Sequence, residues 1–233
     1  MGALGRASLE NAVREEDWPA STPRHELKYV GPASRGGPMA ELLRSLCAPD
    51  PLYPENVVHS VYFDSRRLAA YEEKAGGQFR KQKLRLRWYE PGSGEAWLEV
   101  KAKDGALGWK RRRRVAFQAP GRSAGEEVFA AVARRHLGVS LPPSCWLSYR
   151  RLRLVTPDGA ARVALDRDIR VEWLSPAIPR RRGEALLPFF VVEVKTAERE
   201  APGWLTRAIG RFARRTALSK YALCIDHVRG GCT

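Results

Sequence analysis

Residues 83–87 read Lys-Leu-Arg-Leu-Arg, a strict alternation of basic and apolar side chains. Because a β-strand turns successive side chains to opposite faces, this stretch places its three cations on one face and its two leucines on the other. Three further stretches, 25–28, 98–103 and 192–195, follow the same rule, and each adds a single carboxylate. The pattern predicts a sheet with one apolar face and one charged face on which cations dominate.

The composition indicates a folded protein with an anionic partner. The chain has 233 residues, 44% of them hydrophobic, and a formal net charge of +15. The hydrophobic fraction is sufficient for a core and excludes a disordered basic tail. The charge favours nucleic acid, phosphorylated small molecules, polyphosphate or an acidic membrane face, without choosing among them. Four widely spaced cysteines without a C-x-x-C pair argue against zinc and against a disulfide framework.

The sequence predicts one domain in the cytoplasm. No stretch resembles a secretory signal, and the longest apolar run, 186–192, is interrupted by Pro188 and is too short to span a membrane. We expect a mobile leader over residues 1–22, the domain over 23–228 and a short tail over 229–233.

Periodicity and turn signals predict an α+β fold, with about eight antiparallel strands in a sheet closed into a barrel or tunnel and flanked by several amphipathic helices. Strands are expected at 24–30, 57–64, three within 79–119, 145–155, 161–172, 189–196 and 219–226. Helices are expected at 38–46, 66–75, 123–138 and 202–217.

Two of the helices carry specific expectations. Ser123 and Glu126 form a capping box that opens the third helix. Its apolar face is expected to hold Val128, Val132 and Leu137. The inward side chains expected of the fourth helix are Trp204, Leu205, Ile209 and Phe212.

Periodicity leaves the orientation of the charged face open. A barrel with an apolar filling and a solvated, charged exterior is the commoner arrangement. The opposite arrangement is a polar tunnel, and the amphipathic helices favour it because they need an apolar outer surface to cover. Asp166 and Asp168 also leave two roles open: a place near a metal ion, or structural pairing with Arg162 and Arg167.

Taken in order, the charged segments resemble the VTC domain, the polyphosphate polymerase branch of the triphosphate tunnel metalloenzymes (the CYTH-like superfamily). The resemblance runs over residues 24–226, and it depends on the order of many short motifs. Arg24 stands where the wider superfamily has a glutamate, and Ala217 stands where members of the family often carry a lysine. The matching segments are 26–29, 61–65, Tyr71 with Glu73, 80–89, 98–101, Lys110 with Arg112, 149–151, 165–168, 192–195 and 219–221.

The resemblance implies an inward-facing charged tunnel that binds the triphosphate of ATP or another nucleoside triphosphate together with Mn²⁺ or Mg²⁺. It implies transfer of the terminal phosphoryl group of ATP to a growing inorganic polyphosphate chain. The implied catalytic residues are Arg85, Arg87, Arg151, Lys220 and Glu193. The implied phosphate-binding residues are Lys28, Lys83, Arg85, Arg87, Lys101, Lys110, Arg112, Tyr149, Arg151, Lys195, Ser219 and Lys220. The implied metal ligand is Glu193, supported by Glu26 and Glu99.

The chemistry of phosphoryl transfer agrees with these residue types. The migrating group spreads its charge over its oxygens, so catalysis depends on positioning and on cationic stabilisation. The end of a phosphate chain can attack the γ-phosphorus directly, and no protein nucleophile is needed. Three alternatives remain: a hydrolase of triphosphate or short polyphosphate, a non-catalytic polyphosphate-binding domain, and a nucleic-acid-binding module. The expected partners are ATP, pyrophosphate and polyphosphate, without specific nucleic acid.

Overall fold

The computed structural model of the chain describes residues 25–75, 80–90, 94–104, 107–121, 126–138, 140–174, 184–217 and 219–228. The expected leader, the expected tail and Ser123 of the predicted capping box lie outside these residues. Eleven strands form a single sheet in which all pairings are antiparallel. They are β1 (His25–Pro32), β2 (Ala48–Pro49), β3 (Glu55–Phe63), β4 (Arg80–Glu90), β5 (Glu95–Asp104), β6 (Leu107–Ala116), β7 (Pro143–Val155), β8 (Ala161–Trp173), β9 (Glu184–Leu186), β10 (Phe189–Thr196) and β11 (Arg214–Arg215).

The described ranges contain fewer helices than strands. A 3₁₀ turn at Ala33–Arg35 leads into the first helix. The α-helices are α1 (Gly36–Leu46), α2 (Ala69–Ala75), α3 (Glu126–Leu137), α4 (Gly203–Gly210) and α5 (Lys220–Val228). None of the helices in the described ranges is both long enough and apolar enough to cross a membrane.

The expected α+β class is confirmed, but the closed eight-stranded barrel is not. The strand order is β11-β1-β10-β8-β7-β3-β4-β5-β6, with β2 beside β7 and β9 beside β8. Within the described residues, the end strands β11 and β6 do not pair, so the sheet is open. It is nevertheless strongly curved, because Lys101 Nζ of β5 comes within 3.9 Å of Glu26 Oε2 of β1, although five strands lie between β1 and β5 in the sheet order.

The predicted final strand at 219–226 is wrong. These residues form α5, which enters the interior of the curved sheet and packs against Leu147, Ile169 and Val191. Residues 220–225 are all buried. The segment therefore lacks the exposed polar face that makes an amphipathic helix recognisable in a sequence. A short apolar run of this kind fits a buried strand and a buried helix equally well.

Two other helices depart in detail from their predictions. The helix expected at 202–217 ends at Gly210, since the chain then pairs with β1 as β11; Leu205 and Ile209 are buried as expected, whereas Trp204 stays 36% exposed. In α3, Val128 is exposed, and the buried stripe consists of Phe129, Ala133 and Leu137.

Three helices, α1, α3 and α4, cover the apolar outer face of the sheet. One cluster joins α1 and α4 to β1, β7, β8 and β10, with Leu43 and Leu205 at its centre. A second joins α3 to β3, β4, β5 and β6 through Phe129, Leu86 and Leu98. The charged rows therefore point to the inner face, as the need of the helices for an apolar surface indicated.

A β-bulge in β8 decides which of its acidic residues points inward. The β7–β8 register shifts by one residue between the pairs Ser148–Arg170 and Arg150–Arg167. Asp168 lies at this shift with φ of 53°, a conformation that Asp tolerates better than most residues. Because the extra residue inverts the alternation of side chains, Asp166 is fully buried inside the sheet and Asp168 is exposed.

Candidate active site

A cavity of about 460 Å³ occupies the part of the interior that α5 does not fill. We call it the basic cavity, because nine cationic side chains and three carboxylates line it. The cations come from six strands and from α5: Lys28, Lys83, Arg85, Arg87, Lys101, Lys110, Arg151, Lys195 and Lys220. The carboxylates are Glu26, Glu99 and Glu193, and the remaining lining residues are Tyr62, Ala102, Thr216, Ala217 and Ser219.

Glu99 holds a cluster of cations on β4 and β6. Its side chain is only 5% exposed, and its Oε2 accepts a hydrogen bond of 2.5 Å from Arg85 Nε. Its Oε1 contacts Lys110 Nζ, and Arg87 Nε lies 4.0 Å from Oε2. Burial alone would raise the pKa of Glu99, but these three cations hold that pKa well below its usual range. The carboxylate therefore stays ionised and fixes the cations in place.

Lys110 is the cation in this cluster whose charge is most sensitive to pH. Burial lowers its pKa, Glu99 raises it, and the neighbouring Arg85 and Arg87 lower it again. The net result is a pKa of about 8. Lys110 is therefore mostly charged at neutral pH and loses its charge under mildly alkaline conditions.

A second cluster surrounds Asp166, whose role the sequence left open. Arg151 binds Asp166 with two hydrogen bonds, 2.6 Å from Nε to Oδ1 and 2.7 Å from Nη2 to Oδ2. Lys220 Nζ bridges Asp166 Oδ2 at 2.7 Å and Glu193 Oε1 at 2.6 Å. Burial opposes ionisation of Glu193, but Lys220, Arg151 and Lys28 lower its pKa well below the usual range. Of the two open roles for Asp166, the contacts agree with structural pairing, although its partners are Arg151 and Lys220.

Hydroxyl groups in and behind the cavity wall orient two of the arginines. Arg85 Nη1 donates to Tyr62 Oη at 3.2 Å. Arg87 donates from Nε to Ser60 Oγ at 3.1 Å and from Nη2 to Tyr149 Oη at 3.3 Å. Arg87 is therefore held at both ends of its guanidinium, which limits its freedom before any anion binds.

Most of the residues that the resemblance implied converge on the basic cavity. All the implied metal and phosphate-binding residues line it except Tyr149, which is buried behind Arg87, and Arg112, which lies over the ring of Trp97. Lys83 Nζ donates to Ser219 Oγ at 2.8 Å, and this bond connects β4 to the segment that leads into α5.

Sequence reasoning assigned no cavity role to Ser60, Tyr62 or Asp166. Ser60 and Tyr62 lie on the inner face of β3, beside Arg87 and Arg85 of β4. Their alternate positions in a predicted strand could have suggested this. The position of Asp166 depends on the bulge, for which the sequence carries no clear signal.

The carboxylates fit a divalent cation that is shared with a substrate. Among the described residues, no group of three or more His, Cys, Asp or Glu side chains is arranged to hold a metal ion. Glu26 and Glu193 are diagonal neighbours on β1 and β10, since Lys28 pairs with Glu193 and Glu26 with Lys195. Side chains in that relation lie about 7–8 Å apart. Carboxylate oxygens suit Mg²⁺ and Mn²⁺, and phosphate oxygens usually complete the shell of such ions. The carboxylates of the protein alone would not complete the coordination shell of the ion.

Comparison with known proteins gives one family match. The family model described as VTC domain matches residues 23–229. No curated protein matches the chain.

Several solved structures are similar to this chain, with low sequence identity. The PH1819 protein of Pyrococcus horikoshii OT3 is 10% identical, with a TM-score of 0.49, over 87% of this chain and 99% of that one. A Bacillus halodurans protein, provisionally described as an adenylate cyclase, is 12% identical, with a TM-score of 0.49, over 84% and 93% of the two chains. A Vibrio parahaemolyticus protein with the same description is 11% identical, with a TM-score of 0.37, over 89% and 87%. With TM-scores this low, these likenesses support no conclusion about function.

Proposed function

The chain belongs to the VTC domain family, and from this premise we propose that it is a metal-dependent polyphosphate polymerase of the cytoplasm. It transfers the terminal phosphoryl group of ATP to a growing inorganic polyphosphate chain. The observation that supports this most strongly is the convergence of nine cations from six strands and one helix on a single cavity. A solvated basic face would spread the same charges over the surface.

The charge of the basic cavity suits a chain of phosphates. Its nine cations and three carboxylates leave an excess of six positive charges. Three of the cations are guanidinium groups, which can bind phosphate oxygens with two parallel hydrogen bonds, whereas the lysines act as point charges. Glu99 and Asp166 hold these cations in position before the substrate arrives, so little reorganisation is needed during the reaction.

The reaction needs positioning more than it needs acid–base groups. A terminal oxygen of the acceptor phosphate attacks the γ-phosphorus of ATP, and the bond from that phosphorus to the β–γ bridging oxygen breaks. ADP leaves with the bonding electron pair. Arg85, Arg87 and Arg151 stabilise the charge on the migrating group, and Lys220 adds a fourth cation beside Glu193. A Mn²⁺ or Mg²⁺ ion, held by Glu193 with Glu26, would supply further positive charge to the phosphate oxygens.

The test is to incubate the purified chain with ATP and Mn²⁺ or Mg²⁺, with and without a pyrophosphate or short polyphosphate primer, and to resolve the products on a gel. We expect a ladder of polyphosphate that is lost in Arg85→Ala and retained in Arg150→Ala. Arg150 is a matched control, since it pairs with Glu55 outside the cavity. Release of free phosphate without polymer would overturn the polymerase and identify a hydrolase.

One observation favours a second candidate, a non-catalytic polyphosphate-binding domain. Ala217 lines the cavity at a position where members of the family often carry a lysine. Tight binding of polyphosphate without turnover of ATP, under every metal and primer tested, would support this candidate and refute the polymerase.

A further inference from the structure

Two half-buried aromatic side chains continue the charged rows of β4 and β5. Tyr89 follows Arg87 on the inner face of β4, and Trp97 follows Glu99 on the inner face of β5. Tyr62 in the cavity wall and Tyr149 behind it are only 6% and 2% exposed. On the inner faces of β4 and β5, the side chains thus change from charged groups inside the basic cavity to partly exposed aromatic rings beyond its edge.

An arginine covers each of these rings. Arg112 Cζ of β6 lies 4.2 Å from the ring centroid of Trp97, and Arg153 Cζ of β7 lies 5.8 Å from that of Tyr89. In the closer pair, the guanidinium of Arg112 lies over the indole ring of Trp97. We call these two residues the stacked pair. Trp97 is also outside the three apolar clusters formed by the described residues, so packing of the core does not account for it.

The stacked pair is adjacent to the phosphate-binding groups. Trp97 pairs directly with Arg87 across β4 and β5, and Arg112 pairs directly with Glu99 across β5 and β6. Both Arg87 and Glu99 line the basic cavity. The opposite end of the interior is filled by α5, which packs against Leu147 and Val191. A group covalently attached to a phosphate within the cavity is therefore closer to the stacked pair than to the end of the interior that α5 fills.

We propose that the stacked pair binds the base of the nucleoside triphosphate whose phosphates occupy the basic cavity. The inference rests on the proposed function and extends it by assigning the site that distinguishes a nucleotide from an inorganic phosphate chain. Every base has a flat face that stacks on aromatic rings and on guanidinium planes. Such a site gives affinity with little preference for one base, so the proposal predicts that ATP, GTP and other nucleoside triphosphates bind with similar affinity.

The experiment compares ATP with inorganic tripolyphosphate, which has the phosphates and lacks the base. Dissociation constants are measured by titration calorimetry with fixed Mg²⁺ for the wild type, Trp97→Ala, Trp97→Phe and Trp204→Ala. Trp204 is the matched control, a partly exposed tryptophan on α4, on the other side of the sheet. Loss of a base–aromatic stack weakens binding by roughly fivefold to a hundredfold. We expect that loss for ATP with Trp97→Ala, no change for tripolyphosphate, and recovery of most ATP affinity in Trp97→Phe.

The outcomes distinguish failure of the base-binding site from failure of the proposed function. Equal weakening of ATP and tripolyphosphate by Trp97→Ala, or no weakening of either, overturns the assignment of the base and leaves the proposed function standing. Failure of the wild type to bind either ligand overturns both. Tripolyphosphate binding by Trp97→Ala also reports that the variant is folded, so loss of ATP affinity alone cannot come from unfolding.

Discussion

Replacing Glu99 with Gln is expected to destabilise the free protein and to strengthen its binding of phosphate chains. Glu99 is 5% exposed, contacts Lys110, and lies 2.5 Å from Arg85 and 4.0 Å from Arg87. Removing one partner of a buried ion pair costs about 3–5 kcal/mol, because the remaining charges are left uncompensated. Glutamine has nearly the same volume as glutamate, so the change is mainly one of charge.

The same substitution removes a competitor for the cations. A phosphate group in the cavity about 7 Å from Glu99 experiences a repulsion of about 2.4 kcal/mol per unit charge at an effective dielectric constant of 20. We therefore expect Glu99→Gln to bind tripolyphosphate at least tenfold more tightly than the wild type in EDTA, where no metal contributes. Urea unfolding measures the loss of stability, and calorimetric titration measures the gain in affinity.

Glu55→Gln is the matched control for this experiment. Glu55 also pairs with arginines, 3.2 Å from Arg44 and 3.0 Å from Arg150, but it is on the outer side of the sheet and a third exposed. Exposed ion pairs contribute about 0–1 kcal/mol, so this variant should change neither stability nor affinity appreciably. Weaker tripolyphosphate binding by Glu99→Gln in EDTA would refute the reasoning. A loss seen only with Mn²⁺ present would instead indicate that Glu99 is the metal ligand implied by the family resemblance.

Three further predictions concern single groups. Tripolyphosphate affinity should fall as the pH rises above about 8, because Lys110 loses its proton and with it the positive charge that attracts phosphate. The Lys110→Arg variant should retain its affinity to higher pH in the same titration. Asp166→Asn should lower the urea-derived free energy of unfolding by about 3–5 kcal/mol, since Arg151 and Lys220 lose a fully buried partner, and polymer formation should fall with it. Tyr221→Phe removes the 2.7 Å bond that Tyr221 donates to buried Asp64, and thermal unfolding should show a loss of about 1–3 kcal/mol.

The inner-face residues were the part of the site that the sequence predicted best. Alternation in 83–87 and 192–195 requires only local strand geometry, and it placed Arg85, Arg87 and Glu193 correctly on a shared face. Whether that face points inward depends on the amphipathic helices, whose apolar stripes are also visible in the sequence. Local periodicity therefore predicted which side chains share a face, the amphipathic helices favoured the inward orientation, and the family resemblance implied the rest of the cavity wall.

Features set by distant parts of the chain could not be predicted in this way. Lys220 was expected on a strand, yet it reaches the cavity from the first turn of a helix that is buried on all sides. Asp166 turns inward because a bulge at Asp168 inverts the alternation of β8. Both outcomes depend on packing inside the curved sheet, which leaves no period in the sequence.

The ion pairs alter how the charge of the cavity should be understood. Counting side chains suggests free cations waiting for phosphate, whereas the structure pairs Arg85 with Glu99, and Arg151 and Lys220 with Asp166. A phosphate chain must therefore share or take over guanidinium groups that carboxylates already hold. The bond between a carboxylate and a guanidinium has the same bidentate geometry as that between a phosphate and a guanidinium, so this exchange needs little movement. It follows that the carboxylates limit affinity for the chain while they preserve the geometry of the cations, and that the proposed polymerase, which must release its product, would benefit from both.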